Sequence, residues 1–548
     1  MARALSELTA GLASVPPGLM VSDVTLDSRA VTPGALFLAC RGQKHHGLDF
    51  ADAVIANGAR AVLYETVGDA PGTQPGAGVA AVAGAGRASE NAVEQAAARA
   101  STKAPDVFFG SVPRLSRHVG TIADRFFGSP SQALDIAGIT GTNGKTTCAY
   151  LLSQALTYSN TPTGYIGTIG SGMPSSLTAT SHTTSDAVTV HRQLDHLRRL
   201  GAECVAMEVS SHALDQGRVN AVRFHTAVFT NLTRDHLDFH GTMEKYGAAK
   251  ALLFAWDGLV ARVINVDDEF GAQLAARPSD ARLVVTTRRE PTVLAEFVRA
   301  TQVRAEASGL VIAIESSWGV GEVAVPLIGD FNVENILTVL ATLLAWGVPL
   351  VDAANALSKC KPPSGRLELF GGHGLRPLAV VDYAHTPDAL SKALRAARMH
   401  CRGKLHVVFG AGGDRDPGKR PLMGTIAAEL ADSIVVTDDN PRTEDPRRIV
   451  SDICAGLRAV TKSPNVSSIN DSGIQRVGAP AIPVVVRATS VRVEHDRREA
   501  ILSTLQGATP DDVVVVAGKG HEDYQIYGTE HRPFSDQAVI REYFGEQA

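Results

Sequence analysis

Short apolar runs alternate with helical periodicity along most of the chain. LDIAGIT (134–140), CVAMEV (204–209), TAVFTN (226–231) and ARVINV (261–266) are β-rich runs separated by helical stretches such as TTCAYLLSQALTYS (146–159). Strands that are apolar on both faces predict a parallel sheet covered by helices on either side. A second series repeats the pattern: LAVVDYA (378–384), KLHVVFGAGG (404–413), SIVVTDD (433–439) and DVVVVAG (512–518). Each run ends in Gly or Asp, which predicts a doubly wound sheet with ligands at the carboxyl ends of its strands. Between the two series, PLIGDFNVENILTVLATLLAWG (326–347) predicts a turn and then a long apolar helix. Residues 1–110 predict a small α/β unit, in which ADAVIANGARAVLYE (51–65) is a helix ending near Gly58 and then a buried strand. Residues 66–106 and 462–492 are weakly patterned and read as insertions or surface excursions.

Length and composition narrow the class. A chain of 548 residues is too long for a single core. Hydrophobic residues at 44% and charged residues at 20% fit a folded α/β protein. The 51 glycines fit many tight turns of the kind nucleotide-binding loops need. With 52 basic and 57 acidic side chains the net charge is −5, and no basic stripe is present, which argues against a nucleic-acid partner. The six cysteines are widely spaced and form no CxxC pair, so reduced thiols in a cytoplasmic protein are expected. No apolar stretch reaches 18 residues and the N-terminus lacks a signal-peptide pattern, so neither a membrane span nor a leader is expected.

The chemistry concentrates at strand ends. GITGTNGKTT (138–147) follows a strand and opens a helix. Its glycines let backbone N–H groups close around phosphates, Lys145 has the reach for the β/γ-phosphates, and Thr146 suits Mg²⁺. It is a P-loop variant, because the strict pattern needs Gly at Ile139 and the glycine is Gly138. In MEVSSHALDQGRV (207–219), Glu208 ends an apolar strand, where a carboxylate needs a cation or donors, and a Mg²⁺ ligand fits as well as a salt-bridged strand end. Ser210, Gln216 and Arg218 offer contacts to an anionic substrate, and the adjacent Ser211 and His212 lack the G-x-S-x-G setting of a hydrolase. TNLTRDHLDFHGTMEKYGAAKALLF (230–254) crowds Asp235, His236, Asp238 and His240 together, but no further spacing completes a zinc site. Lys250 lies in an apolar helix, where it either snorkels to solvent or serves the site. In the last series, four polar loops bring Asp382, His385, Arg415, Asp439, Asn440, Arg442, Gly518 and Glu522 to one rim. Such a rim suits a zwitterion, each charge meeting its opposite.

In order along the chain, TLDSR, GTNGKTT, MEVSSHALDQGRV, NLTRDHLDFHG, the AAK helix, GDFNVEN, SGRLE, DYAHTPDAL, GGDRDPGKRP, DDNPR and AGKGHEDYQ resemble the motifs of the Mur ligases of bacterial cell-wall synthesis. DNPR resembles the form that selects meso-2,6-diaminopimelate over lysine. The resemblance implies an α/β protein of three domains. These are a small N-terminal α/β domain for the UDP end of the substrate (1–133), a central P-loop parallel-sheet ATPase domain (134–361), and a C-terminal Rossmann-like domain for the amino acid (362–548). It implies a cytoplasmic acid–amino-acid ligase, expected as a monomer. With ATP and Mg²⁺, such an enzyme adds meso-2,6-diaminopimelate to the D-glutamate γ-carboxylate of UDP-N-acetylmuramoyl-L-alanyl-D-glutamate through an acyl phosphate. Carried over by motif, Leu26, Ser28, Gln43, Lys44 and His45 contact the UDP moiety, and Thr183, Thr184, Ser210, Gln216 and Arg218 the muramoyl-dipeptide. Gly141, Thr142, Asn143, Gly144, Lys145, Thr146 and Thr147 form the phosphate loop, and Asn332, Arg366 and Asp382 line the adenosine end. Lys145, Glu208, His236 and Lys250 are the catalytic set; Thr146, Glu208, His236 and a carbamylated Lys250 support the metal. Arg415, Asp439, Asn440, Pro441, Arg442, Gly518 and Glu522 hold diaminopimelate. Another amide ligase of this scaffold, such as a folylpolyglutamate-type enzyme, and a non-catalytic nucleotide-binding regulator are the competing readings.

Overall fold

The computed structural model describes residues 2–42, 45–66, 83–180, 182–291, 295–306, 308–461 and 487–546. By contact density the chain divides into two compact units, Met1–Val284 and Val285–Ala548. Among the described residues no helix is long and apolar enough to cross a membrane.

The first unit begins with a parallel sheet in the order Val24–Thr25, Leu36–Ala39, Ala61–Thr66, Phe108–Pro113. Its two faces are covered by separate clusters, one around Leu36, Leu38, Leu63 and Ile122, the other around Phe37, Val54 and Val62. Here the structure corrects the reading of 66–106 as an excursion over its later part, while residues 67–82 lie outside the described residues. Ala83–Lys103 is a helix joining the parallel strands Ala61–Thr66 and Phe108–Pro113, a βαβ crossover. Val93 and Ala97 carry its contact with the core, and an apolar stripe made largely of alanine leaves little periodicity to read.

The parallel core of a second, mixed sheet in this unit runs in the order Thr163–Gly167, Cys204–Glu208, Asp135–Thr140, Thr226–Phe229, Ala261–Asn265, with the antiparallel strands Gly170–Met173 and Ser176–Thr178 beside Thr163–Gly167. The strands Cys204–Glu208 and Ala261–Asn265 are wholly buried, their apolar residues accompanied by the buried polar side chains of Glu208, Arg262 and Asn265. The loops after Thr140, Gly167, Glu208 and Phe229 leave adjacent strands at the same end, where a doubly wound sheet binds its ligands.

The second unit contains an antiparallel meander, Glu296–Glu306, Gly309–Ser316 and Gly319–Val325, and then the apolar helix Phe331–Ala345. Beyond it lies a sheet in the order Glu368–Gly371, Leu378–Asp382, Val513–Ala517, Leu405–Phe409, Ser433–Val436, Ser490–Val493. All its pairs are parallel except the first. Helices Pro387–Arg398, Lys419–Leu430 and Pro446–Thr461 pack on one face, and Arg497–Gly507 and Asp536–Phe544 on the other. The stretch read as a second insertion, 462–492, also needs correction at its end. Ser490–Val493 is an edge strand paired with Ser433–Val436, and all four of its residues are exposed, so it carries no buried-strand signature. The rest of that stretch, 462–486, lies outside the described residues.

Candidate active site

The phosphate loop leaves the strand Asp135–Thr140 and enters the helix Lys145–Tyr158 through Gly144, at φ +85°. Gly141 has φ +150°, and a Cβ there would lie 1.9 Å from Thr230 Oγ1. Thr230 is itself engaged, donating to the Asn143 carbonyl at 2.6 Å. Asn143 N donates to Asn231 Oδ1 at 2.9 Å, and Thr142 Oγ1 to the Thr233 carbonyl at 3.1 Å. The loop is therefore braced by the segment after Phe229. Thr147, the third residue of the helix, is partly exposed.

Two lysines converge on one carbonyl of this loop. Lys145 Nζ donates to Gly141 O and Thr142 O, both at 2.9 Å, and Lys250 Nζ donates to Gly141 O at 2.7 Å. Burial lowers the pKa of Lys145, while Glu208 and Asp235 oppose the shift. Lys250 is pushed down to about 6, mainly by burial and then by the charge of Lys145. Lys250 is only 1% exposed and its amine lies 4.4 Å from the centroid of the Tyr246 ring. The snorkelling alternative is thereby excluded: the side chain points into the site, and its helix Met243–Ala251 is buried along that side.

Glu208 ends its strand fully buried. Its Oε1 accepts from Tyr165 OH at 2.6 Å and from Thr168 N at 2.8 Å; its Oε2 accepts from Thr146 Oγ1 at 2.9 Å and Thr168 Oγ1 at 3.3 Å. Room for the carboxylate depends on Gly167, where a Cβ would come within 2.2 Å of Oε1. Tyr165 and Thr168 were not expected from the sequence. Both follow from the register that places Thr163–Gly167 beside Cys204–Glu208, which no local motif announces.

From Glu208 the polar network continues without a break. Thr184 Oγ1 donates to the Glu208 carbonyl at 2.8 Å and accepts from Ser210 N at 3.1 Å. Arg218 donates to the Thr184 carbonyl at 3.0 Å and, through Nε and Nη2, to Gln216 Oε1 at 2.9 and 2.6 Å. The hydroxyls of Thr183 and Thr168 lie 3.0 Å apart, within hydrogen-bond distance. Ser210 caps the short helix Ser211–Asp215 by accepting from Ala213 N. All five residues expected at the dipeptide are thus joined to the phosphate loop through Glu208 and Thr168.

His236 adopts φ +52°, is half exposed, and lies edge-on to His212 with centroids 4.9 Å apart. The segment expected at the UDP moiety is only partly described. Leu26 packs against the N-terminal core and Ser28 opens a turn capped by Asp27, whose Oδ1 accepts from Arg29 N at 2.9 Å. His45 lies 3.7 Å from the Asp49 carboxylate; Gln43 and Lys44 fall outside the described residues.

In the second unit, Asn332 is buried, donating to Ile328 O at 2.7 Å and accepting from Asn335 Nδ2 at 2.9 Å. Arg366 stacks over the Tyr383 ring at 5.2 Å. Asp382 accepts from Leu367 N at 2.9 Å, and burial raises its carboxyl to about 6. The loops after Asp382, Phe409, Val436 and Ala517 do meet. Gly518 N donates to Asp382 O at 3.0 Å, Gly413 N to Asn440 O at 2.9 Å, and Asn440 Nδ2 to Glu522 Oε2 at 2.9 Å. Arg442, at φ +53°, donates through Nη1 to Gly413 O at 2.8 Å. Pro441 backs Gly413 so closely that a Cβ there would lie 1.8 Å from the Pro441 carbonyl oxygen. Arg415 is exposed above this rim. Lys519, fully buried beside Asp439 and Glu522, was not singled out from the sequence, although a lysine between two glycines after four valines was a legible signal.

Comparison with known proteins identifies the family. Residues 21–106 match the Mur ligase family catalytic domain, 139–343 the Mur ligase middle domain, and 365–520 the Mur ligase glutamate ligase domain. The chain is 44% identical over 530 residues to the UDP-N-acetylmuramoyl-L-alanyl-D-glutamate–2,6-diaminopimelate ligase of Chromobacterium violaceum, covering 96% of this chain and 94% of that one. The enzyme of the same name from Pseudomonas aeruginosa is 43% identical, with 94% of each chain covered. A solved structure of a ligase of that name superposes with a TM-score of 0.68 at 31% identity, covering 100% of this chain and 99% of the other. On the strength of a phosphate loop, a buried strand-end carboxylate and full-length relatives of this kind, the chain belongs to the Mur ligase family.

Proposed function

We propose that the protein joins meso-2,6-diaminopimelate to the D-glutamate γ-carboxylate of UDP-N-acetylmuramoyl-L-alanyl-D-glutamate, with ATP driving the reaction, as the names of its relatives indicate for those proteins. The observation that carries the mechanism is the shared position of Glu208. It hydrogen-bonds Thr146 of the phosphate loop and, through Thr184, the Ser210–Gln216–Arg218 group that would hold the dipeptide. On that continuous network the carboxylate end of the substrate and the phosphates of ATP would lie side by side.

The residues fit both small partners. Gly141 and Gly144 take positive φ, which lets the loop turn tightly against Thr230, and the helix Lys145–Tyr158 presents its N-terminus to the loop, where a phosphate would be favoured. Thr146 Oγ1 and Glu208 Oε2, 2.9 Å apart, are the hard oxygen donors Mg²⁺ prefers, and His236 and Lys250 complete the polar surroundings. Mg²⁺ bound there would screen phosphate charge and polarise the γ-phosphoryl group. Lys145 would exchange its loop carbonyls for phosphate oxygens. A neutral Lys250 amine is the form that adds to carbon dioxide, forming the N–C bond and losing one proton, and so becoming a carbamate anion. The substrate carboxylate would take the γ-phosphoryl group, and the acceptor amine would then attack the acyl phosphate and expel phosphate. In the second unit, Arg415 and Arg442 would read acceptor carboxylates and Glu522 an ammonium. Asp439, Asn440, Pro441 and Gly518 would shape that pocket.

An acceptor panel tests the reading. With ATP, Mg²⁺ and the UDP-muramoyl-dipeptide, phosphate release should depend on meso-2,6-diaminopimelate, with lysine at least about 100-fold poorer in kcat/KM. Equal turnover of lysine would remove the specificity assignment, and glutamate addition to folate would favour the folylpolyglutamate-type alternative. Gly141→Ala should raise KM for ATP about ten-fold or more, since the strained φ and the approach to Thr230 together cost about 1–3 kcal/mol. Unchanged nucleotide affinity by calorimetry would contradict that account of the loop.

A further inference from the structure

Lys519 follows the strand Val513–Ala517, and none of its side chain reaches solvent. Its ammonium lies 3.1 Å from Asn440 Oδ1, 3.1 Å from Glu522 Oε2 and 3.5 Å from Asp439 Oδ1, one acceptor for each N–H. The Tyr524 ring lies 5.6 Å from the same nitrogen. Lys519 thus meets two carboxylates, and the charges of Lys419 and Arg497 also act on Asp439. Glu522 is the member that reaches the surface, with 16% of its side chain exposed.

The same contacts fix the direction of the Asn440 carboxamide. Asn440 Oδ1 accepts from Lys519 and also from Ile526 N at 3.0 Å. Both partners can only donate, so the oxygen must face them and the NH₂ group must face Glu522. The backing is firm, because the hairpin Tyr524–Tyr527 and Glu530–Pro533 is tied to the Asn440 loop. Gln525 Nε2 donates to Asp439 O at 3.1 Å, Arg442 N to Ile526 O at 2.9 Å, and Gly528 N to Arg442 O at 2.7 Å. Glu522 Oε2 is thereby occupied by Lys519 and Asn440, which leaves Oε1 and the second Asn440 N–H for a ligand.

We propose that Lys519 is a positioning residue for acceptor selection: it holds Glu522 and Asn440 so that the pocket offers one carboxylate oxygen to an ammonium and one amide N–H to a carboxylate of the incoming amino acid. The proposal rests on the assignment of this rim to the acceptor.

The test is steady-state kinetics of full-length wild type, Lys519→Met and Lys519→Gln, with thermal unfolding as the check on folding. Acceptors are meso-2,6-diaminopimelate and 2-aminopimelate, which lacks the distal ammonium. In both variants KM for diaminopimelate should rise about ten-fold or more, while KM for ATP and for the UDP-muramoyl-dipeptide stays within about three-fold. The preference for diaminopimelate over 2-aminopimelate should shrink by a similar factor, because Glu522 loses its charged donor and is held by the Asn440 N–H without it. A uniform fall in kcat with unchanged KM and unchanged preference overturns the proposal, as does failure of both variants to fold, which would assign Lys519 to the fold alone. Absence of diaminopimelate turnover by the wild type overturns the functional reading as well, so the two failures are separable.

Discussion

Replacing Lys250 by alanine should lower kcat by about 10²–10³-fold, the usual effect of deleting one charged group that acts on a transition state. Bicarbonate should not restore the rate, because the amine that would carry the added carboxylate is gone. Protein stability should move the other way. In metal-free buffer depleted of carbon dioxide, Lys250→Met should unfold at a higher temperature than the wild type. The buried amine is held neutral with its pKa at about 6, and its main partner, Gly141 O, retains Lys145 as a donor after the change. A wild-type rate for Lys250→Ala would refute the assignment. An equal loss of rate and of stability would make Lys250 a packing residue instead.

The same group predicts a pH dependence whose sign is fixed. The folded pKa, about 6, is below the ordinary 10.5, so between those values the unfolded chain binds the additional proton. The penalty for burying Lys250 is therefore largest below pH 6, where the folded protein must take up the charge, and fades as pH rises toward 10.5. Activity that needs the neutral amine should fall as pH drops through about 6. Lys250→Ala should lack that acid limb in whatever rate remains. Asp382 is raised to about 6 by burial, so the fold of the second unit binds a proton more readily there than the unfolded chain does; its own contribution to stability falls as pH rises through about 4 to 6.

What the sequence made legible depended on whether a residue's partners are local. The phosphate loop, Glu208 at a strand end and the DNPR loop could be read because a strand, a glycine turn and a charged residue stand next to one another in the chain. Residues whose meaning comes from strand register could not. Tyr165 and Thr168 matter because Thr163–Gly167 pairs with Cys204–Glu208, and that pairing is a property of the sheet. Lys250 was ambiguous for a related reason: a lysine in an apolar helix looks alike whether it reaches solvent or another loop, and only packing decides. The helix Ala83–Lys103 and the strand Ser490–Val493 escaped notice because alanine contacts and an exposed edge give weak periodicity. Hydrophobic patterning thus revealed both doubly wound sheets and missed the pieces whose burial is shallow.

Glu208→Gln should fold nearly as well as the wild type and yet lose at least about 10³-fold in kcat. The side chain keeps its size, so the argument turns on donors. Thr168 N can only donate, which obliges the glutamine oxygen to take the Oε1 position beside Thr168 N and Tyr165 OH. Its NH₂ then occupies the Oε2 position, where the hydroxyls of Thr146 and Thr168 can rotate to accept. The buried network stays satisfied, and the cost should be no more than about 1 kcal/mol. The side of the residue facing the phosphate loop has meanwhile changed from an anionic oxygen to an amide nitrogen, which cannot ligate Mg²⁺ and repels it. The Mg²⁺ concentration needed for half-maximal activity should rise about ten-fold or more along with the loss of rate. Glu208→Ala provides the contrast: it strands Tyr165 OH and Thr168 N without an acceptor and should lose about 1–3 kcal/mol of stability in addition to activity. Thermal unfolding separates the two variants and metal titration of the glutamine variant separates charge from scaffold. A Glu208→Gln enzyme within about ten-fold of wild-type kcat, at unchanged Mg²⁺ requirement, would reduce Glu208 to the hub that joins the phosphate loop to Thr184 and Arg218.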